Sequence, residues 1–200
     1  VVALLVAIPA GLLSAVYQNS LLDLTVTTLS TLGRAMPNFW IGIMLILLVG
    51  VELRWLPVAG REGFSSIILP AITLGTSTAT TIARVLRSSM LEVMRREYMV
   101  TARAKGLRRW TVIMKHGLRN SLIAAVTVLG LQMAWLLGGA VVVEQVFAWP
   151  GVGRLTVTAV QLRDLTVVQA SVFVFALIVM CTNLLVDVLY AFINPRIRFE

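Results

Sequence analysis

The sequence has few charged residues and almost no cysteine, histidine or lysine. Charged residues make up 13% of the 200 residues, about half the share that is usual in a soluble domain. Because 58% of the residues are hydrophobic and the mean hydropathy is +0.92, too few charges remain to cover a water-exposed surface. We therefore expect much of the surface to face lipid, and we predict an all-α, polytopic membrane helix bundle.

The scarce residue types also exclude kinds of site. The single cysteine, Cys181, cannot form a disulfide within the chain, and one cysteine with one histidine, His116, argues against a bound metal. Neither lysine, Lys105 or Lys115, follows a glycine, so the sequence lacks the Gly-Lys-Ser/Thr of a phosphate-binding loop. We expect no cofactor in this chain and any ATP hydrolysis to take place on another polypeptide.

Long apolar runs are what the sequence does contain. A helix needs about 20 apolar residues to cross a bilayer, and five segments without charged residues come close to that length. The third is rich in threonine and serine, which favours a helix buried against its neighbours. We predict five transmembrane helices in this chain, at residues 1–16, 35–51, 67–83, 121–143 and 165–186.

The basic residues predict the orientation of these helices. Ten of them lie in the segment 84–119, which we place in the cytoplasm by the positive-inside rule. Arg34, Arg196 and Arg198 then also lie inside, whereas Arg54, Arg61, Arg154 and Arg163 lie outside. The C-terminus is therefore predicted to be cytoplasmic and residue 1 external, and we expect one further upstream helix, making six. Glycines and prolines predict turns in the two outer loops, 52–66 and 144–164.

One cytoplasmic segment, 97–107, predicts a short helix. Glu97 suits the positive end of a helix dipole, and Gly106 marks the end of the helix. Ala102 and Gly106 are four residues apart, so we interpret them as one face that has almost no side chain. Such a face, with Arg103 beside it, suits docking in a groove of another protein.

This segment resembles the EAA loop of binding-protein-dependent ABC importer permeases. The resemblance is closest to the dipeptide/oligopeptide branch, which also includes nickel and glutathione importers. The general Glu-Ala-Ala pattern is matched only at Ala102 and Gly106. Three other stretches agree with that branch: Pro37–Gly42, Phe147–Leu155 and Asn194–Arg198. The matching residues of the loop are Glu97-Tyr98, Thr101-Ala102-Arg103-Ala104-Lys105-Gly106-Leu107 and His116-Gly117-Leu118-Arg119-Asn120.

The resemblance implies a single permease domain over residues 1–200 with the type I ABC importer fold. It implies a bacterial inner membrane, a second homologous permease subunit, two cytoplasmic ABC ATPase subunits that bind ATP and Mg, and an extracytoplasmic substrate-binding protein. The cytoplasmic coupling loop would be 84–119, with His116, Arg119 and Asn120 at its junction with the membrane. The residues implied in ATPase coupling are Glu97, Tyr98, Thr101, Ala102, Arg103, Ala104, Lys105, Gly106 and Leu107.

Several alternatives stay open. The cargo expected from the resemblance is a peptide, with nickel or glutathione as the alternative. A self-sufficient secondary carrier or channel would need acidic residues near the midplane or a repeated pair of broken helices, and neither is evident. The net charge of +8 is concentrated in one loop, which argues against nucleic acid as a partner. The pairs Arg95-Arg96 and Arg108-Arg109 would either bind anionic lipid or only set the topology.

Overall fold

The computed structural model describes residues 1–193, and the regular elements in that range are helices. The Asn194–Arg198 motif, with Arg196 and Arg198, lies outside the described residues. The α-helices are α1 (Val2–Val16), α2 (Leu21–Ala35), α3 (Asn38–Leu45), α4 (Ile68–Met94), α5 (Glu97–Ala104), α6 (Arg109–Thr111), α7 (Arg119–Val146), α8 (Val152–Gln161) and α9 (Leu165–Ile193). A π-helix, Ile46–Glu52, extends α3, another, Val112–Leu118, joins α6 to α7, and a 3-10 turn, Phe64–Ile67, precedes α4.

Four of the five predicted apolar segments lie almost entirely on helix, whereas the second, 35–51, begins at a break between α2 and α3 where the chain bends by 106°. Among the described residues, Phe64–Met94 and Leu165–Val186 are long and apolar enough to cross a membrane by themselves. Two bent pairs bring the number to four if each pair is one span, and Val2–Val16 is apolar but shorter. The predicted number of five transmembrane helices stays a prediction. The turn prediction for the loop 144–164 is wrong in part, because α8 occupies much of it.

The described chain divides into two compact units. The first contains Val1–Ala35 and Thr78–Gly130, and the second contains Met36–Ser77 and Leu131–Leu189. Helices α4 and α7 each have residues in both units. The prediction of one permease domain over residues 1–200 stays a prediction.

In the first unit, α1 packs against α4 through small residues. Ala3, Ala7, Gly11 and Ala15 recur every four residues, so they share one face of α1, and all four are buried. A Cβ atom added at Gly11 would lie 2.6 Å from the carbonyl oxygen of Ala83. The small side chains therefore let two helix backbones approach closely, as helix packing in membranes favours.

The corner between α1 and α2 is built from short polar residues. Asn19 adopts a left-handed backbone conformation (φ 63°), and the Ser20 hydroxyl accepts a hydrogen bond from the backbone N–H of Asp23 (3.3 Å). This is the usual geometry at a helix N-terminus. The backbone N–H of Asn19 in turn donates to the Asp23 carboxylate (2.9 Å). The chain therefore turns sharply here while its polar groups stay paired.

The third predicted segment is buried, as its polar composition indicated. In the most apolar window of Phe64–Met94, 44% of the residues are buried, against 6% for Leu165–Val186. Thr73 is fully buried, and its hydroxyl donates to the carbonyl of Leu69 (2.9 Å). Because this hydroxyl is hydrogen-bonded within its own helix, Thr73 can be buried without an unpaired donor. In the second unit, Leu69 packs with Val143 and Phe147 in a separate apolar core.

Candidate functional site

The predicted coupling helix is present as α5, Glu97–Ala104. It begins after Arg96, whose backbone is extended (φ −69°, ψ 146°), with Glu97 in the first turn and Arg103 in the last. Both charges suit the helix dipole. The chain leaves the helix at Gly106, which has φ +75°. A side chain is disfavoured in that conformation, so glycine is required by the backbone.

One face of α5 is packed into the first unit. Met99 is fully buried and Ala102 is 7% exposed, and both pack with Val112. Met94 and Val93 at the end of α4 complete this small core. Residues three apart lie on the same side of a helix, so Met99 and Ala102 anchor α5 to the chain that follows it.

This packing corrects one interpretation from the sequence. Ala102 and Gly106 do not form a bare outward face, because Ala102 lies against the protein's own interior. Gly106 is exposed, and a Cβ atom added to it would meet nothing within 4 Å. The two residues are therefore small for different reasons. Ala102 is small because it packs against a core, and Gly106 is glycine because the backbone turns there.

Outside this buried stripe, the surface of α5 is open and mixed in character. Tyr98 is 42% exposed and Val100 is 60% exposed. In the chain that follows, Leu107, Trp110 and Met114 are also exposed. The other predicted coupling residues are also exposed: Glu97, Thr101, Arg103, Ala104 and Lys105. Exposed apolar side chains among charged ones are typical of a surface that binds another protein.

The predicted junction with the membrane is a π-helix that closes onto α4. Gly117 packs so tightly that an added Cβ atom would lie 2.6 Å from the methyl carbon of Met90. The Ser121 hydroxyl donates to the carbonyl of Gly117 (3.0 Å) and also lies 3.4 Å from the Met90 sulfur. Met90 and Ser121 are both fully buried. The end of α4 and the start of α7 are therefore locked together next to α5.

The three junction residues predicted from the sequence lie around this contact. The Asn120 side-chain amide donates to the carbonyl of His116 (2.7 Å), which offers a partner to a carbonyl where the π-helix changes to α-helix. His116 is half-buried, whereas Arg119 and Asn120 are exposed. Among residues 1–193, no three His, Cys, Asp or Glu side chains come close enough to hold a metal ion.

The second unit carries a separate polar cluster where α7 ends. The Glu144 carboxylate accepts a hydrogen bond from the backbone N–H of Arg154 (2.9 Å), in the first turn of α8. The same carboxylate occupies the space where a Cβ atom of Gly151 would be. Glu144 therefore caps α8, and its carboxylate explains why residue 151 of the Phe147–Leu155 motif is glycine. The sequence suggested Gly151 only as a turn residue.

The two predicted outer loops contact each other at this cluster. The backbone N–H of Gly60 donates to the carbonyl of Phe147 (3.0 Å). The guanidinium of Arg61 lies over the ring of Trp149, 5.9 Å from its centroid. This is within the range of a cation–π interaction. The loops 52–66 and 144–164 thus form one surface within the second unit.

Sequence reasoning missed Met90, Met99 and Ser121, which hold α5 in place, and quoted Gly117 only as part of the loop motif. A signal for one of them was available, since Met99 and Ala102 are apolar and three residues apart in an otherwise polar helix. The contact of Met90 with Gly117 joins residues far apart in the chain, and no local pattern marks it.

The chain is similar to known transport proteins along nearly all of its length. A family model described as "Binding-protein-dependent transport system inner membrane component" matches residues 7–199. Two similar proteins are named glutathione transport system permease protein GsiC. The one from Pectobacterium atrosepticum is 48% identical over 198 residues, and the one from Escherichia coli K12 is 46% identical over 198 residues. Each alignment covers 99% of this chain, which spans 65% of the length of these relatives.

Solved structures confirm the predicted fold. Two inward-facing structures of the MetNI methionine ABC transporter match with TM-scores of 0.79 and 0.81. Each match covers 96% of this chain and 88% of the matched chain, at 18% and 19% sequence identity. At this identity the likeness concerns the fold alone.

Proposed function

Because this chain belongs to the family of binding-protein-dependent transport system inner membrane components, we propose that it is a transmembrane subunit of an ATP-binding-cassette importer. It forms the translocation pathway together with a second, homologous permease subunit. The chain is a multi-pass inner-membrane protein, and its own role is non-catalytic. Two separate cytoplasmic ATPase subunits bind ATP and Mg and supply the energy.

The observation that carries this proposal is the two-sided character of α5. Its inner face is fixed to the first unit by Met99 and Ala102, whereas Val100, on the roughly opposite side, and Tyr98, at the edge of the inner face, are uncovered. A helix that is held firmly on one side transmits a push from a partner on its other side. ATP-driven closure of the ATPase pair would move α5 and shift the permease between conformations.

A peptide is the proposed cargo class, delivered by an extracytoplasmic substrate-binding protein. The relatives named above are permeases of glutathione transport systems, and glutathione is itself a small peptide. Glutathione is therefore the first compound to test. A self-sufficient carrier would take up cargo without an ATPase, so uptake by the complete complex and by the permease alone discriminates the two functions.

A cysteine-labelling experiment tests the docking surface. Cys181 is exposed and is first replaced by serine, after which a single cysteine is placed at Val100 or, as the matched control, at Ala102. We expect a maleimide to label position 100 in the permease alone and to label it far less after assembly with the ATPase. Position 102 should label poorly in both states because it is buried. Equal labelling of position 100 in both states would refute docking through this face.

The proposed topology has its own test. In the same cysteine-free background, a cysteine at Arg108 should react with a membrane-impermeant reagent from the cytoplasmic side only. A cysteine at Val152 should react from the external side only. This outcome supports a cytoplasmic coupling loop and, with it, a cytoplasmic C-terminus. Labelling of both positions from one side would overturn the orientation.

A further inference from the structure

A cavity of about 370 Å³ lies within the first unit beside the coupling helix. Its apolar lining includes Val112 and Ile113, which are almost fully buried and are called its floor here. Val16, Met94 and the exposed Leu107 are the other apolar residues that line it. Arg103 and Arg109 are the charged residues that line it. The cavity therefore combines an apolar lining with two positively charged side chains.

This combination selects for an amphiphilic anion. A free phosphate or sulfate would bind the guanidinium groups but would leave the apolar floor exposed to water, which is unfavourable. An uncharged apolar ligand would fill the floor but would make no use of the two guanidinium groups, which are exposed. A molecule with a phosphate at one end and hydrocarbon next to it satisfies both parts. The volume is in the range of sites for small organic ligands.

The position of the cavity in the fold points to the membrane as the source of that molecule. Val16 is the last residue of the apolar helix α1, and Met94 is the last residue of α4. Val112 and Ile113 begin the π-helix that continues into α7. The cavity therefore lies next to the end of α1, whose last residue, Val16, also ends the first predicted span, so we expect this side of the cavity to lie at the depth of the lipid head groups. In the orientation proposed above this is the cytoplasmic leaflet, whose anionic lipids attract basic residues.

We propose that this cavity binds the head group of an anionic phospholipid, with the phosphate between Arg103 and Arg109 and the glycerol region on Val112 and Ile113. The sequence left open whether the pair Arg108-Arg109 binds anionic lipid or only sets the topology. Lipid binding is here assigned to Arg109 alone, because its neighbour Arg108 does not line the cavity. Arg103 belongs to α5, so a bound lipid would tie the coupling helix to the end of α1. The proposal rests on the cytoplasmic placement of residues 84–119 and is independent of the cargo.

The test uses the complete transporter in nanodiscs that contain a photoactivatable phosphatidylglycerol analogue at low mole fraction. Arg109→Gln is compared with Arg108→Gln, a matched control that removes the same charge one residue away. We expect photolabelling of the permease to fall roughly fivefold in Arg109→Gln, the ratio that corresponds to the ~1 kcal/mol contributed by one basic residue near an anionic surface. Labelling should be unchanged in Arg108→Gln and largely restored in Arg109→Lys. Equal labelling of the two glutamine variants would overturn the proposal.

Two further arms identify the source of the phosphate. A phosphatidylcholine analogue should label the wild-type protein weakly and without dependence on Arg109. Inorganic phosphate at millimolar concentration should not displace the phosphatidylglycerol label, and displacement would assign the site to a soluble anion instead. Photolabelling is measured on the permease band, so the result stands whether or not an ATPase assembles with it. A failure of lipid binding is thereby distinguished from a failure of the proposed function.

Discussion

Arg87 and Asp23 form a two-point ion pair between α4 and α2. The Arg87 Nε atom donates to Asp23 Oδ1 and its terminal nitrogen donates to Asp23 Oδ2, each at 2.7 Å. The Ser14 hydroxyl of α1 also donates to Asp23 Oδ1. The carboxylate is almost fully buried, with 6% of its side chain exposed, whereas the Arg87 side chain keeps 27% exposure. Three helices are therefore joined at one carboxylate, close to the corner between α1 and α2.

Breaking this pair should destabilise the first unit. Arg87→Gln leaves a buried carboxylate without its cation, and we expect the free energy of unfolding to fall by roughly 3 kcal/mol, the lower end for a broken buried pair, since Arg87 is partly exposed. Arg84→Gln is the control, because Arg84 is exposed one turn earlier on the same helix. Thermal unfolding in detergent measures both variants. Equal loss of stability in the two variants would show that only the net charge matters.

Gly11 should tolerate no side chain. Gly11→Ala places a methyl group 2.6 Å from the Ala83 carbonyl oxygen, so α1 and α4 must separate, and we expect a loss of about 1–3 kcal/mol. Gly138→Ala is the matched control in α7, where an added Cβ atom meets nothing within 4 Å. That variant should be neutral or slightly more stable, since alanine favours helix. A neutral Gly11→Ala, measured by thermal unfolding, would contradict the close approach of the two backbones.

The sequence alone predicted the helices better than the contacts between them. Length and hydropathy are local properties, so the five apolar segments could be found without knowledge of their neighbours. The short, polar α2 and α8 gave no such signal. Arg87 was predicted only as one of the basic residues of the segment 84–119, because sequence spacing does not show that it meets Asp23, which lies 64 residues away.

The coupling segment shows the same limit. Glu97 and Gly106 marked the ends of α5 correctly, because capping and left-handed turns depend on neighbouring residues only. The orientation of the helix about its own axis depends on Val112 and Met94, which belong to other elements. For that reason Ala102 was expected to face outward, although it faces the core.

The two faces of α5 should give different defects when they are truncated. Met99→Ala removes a fully buried side chain and should cost roughly 2–5 kcal/mol of stability. It should also lower transport for each ATP hydrolysed, because α5 is then loosely held. Val100→Ala changes an exposed residue, so stability should hold while binding of the ATPase weakens. Unfolding, ATPase binding and uptake in proteoliposomes separate these effects, and identical defects would contradict the two-sided role of α5.

Gly151 and Glu144 provide a test of whether a glycine is needed for space or for backbone conformation. Gly151 has φ −127°, which any residue adopts, and the three atoms nearest to an added Cβ atom all belong to the Glu144 carboxylate. We expect Gly151→Ala to destabilise the protein by about 1 kcal/mol, as loss of a helix cap does. In a Glu144→Ala background, where the cap is already lost, the same change should cost almost nothing.

Gly60 is the contrasting case for this cycle. It has φ +79° and open space around its Cβ position, so Gly60→Ala should be destabilising by about 1 kcal/mol through backbone strain alone. That cost should be the same with Glu144 or with Ala at position 144, because no contact with Glu144 causes it. Thermal unfolding of the two double-mutant cycles gives both coupling energies. A coupling near zero for Gly151 with Glu144 would mean that the carboxylate does not occupy this space in the folded protein.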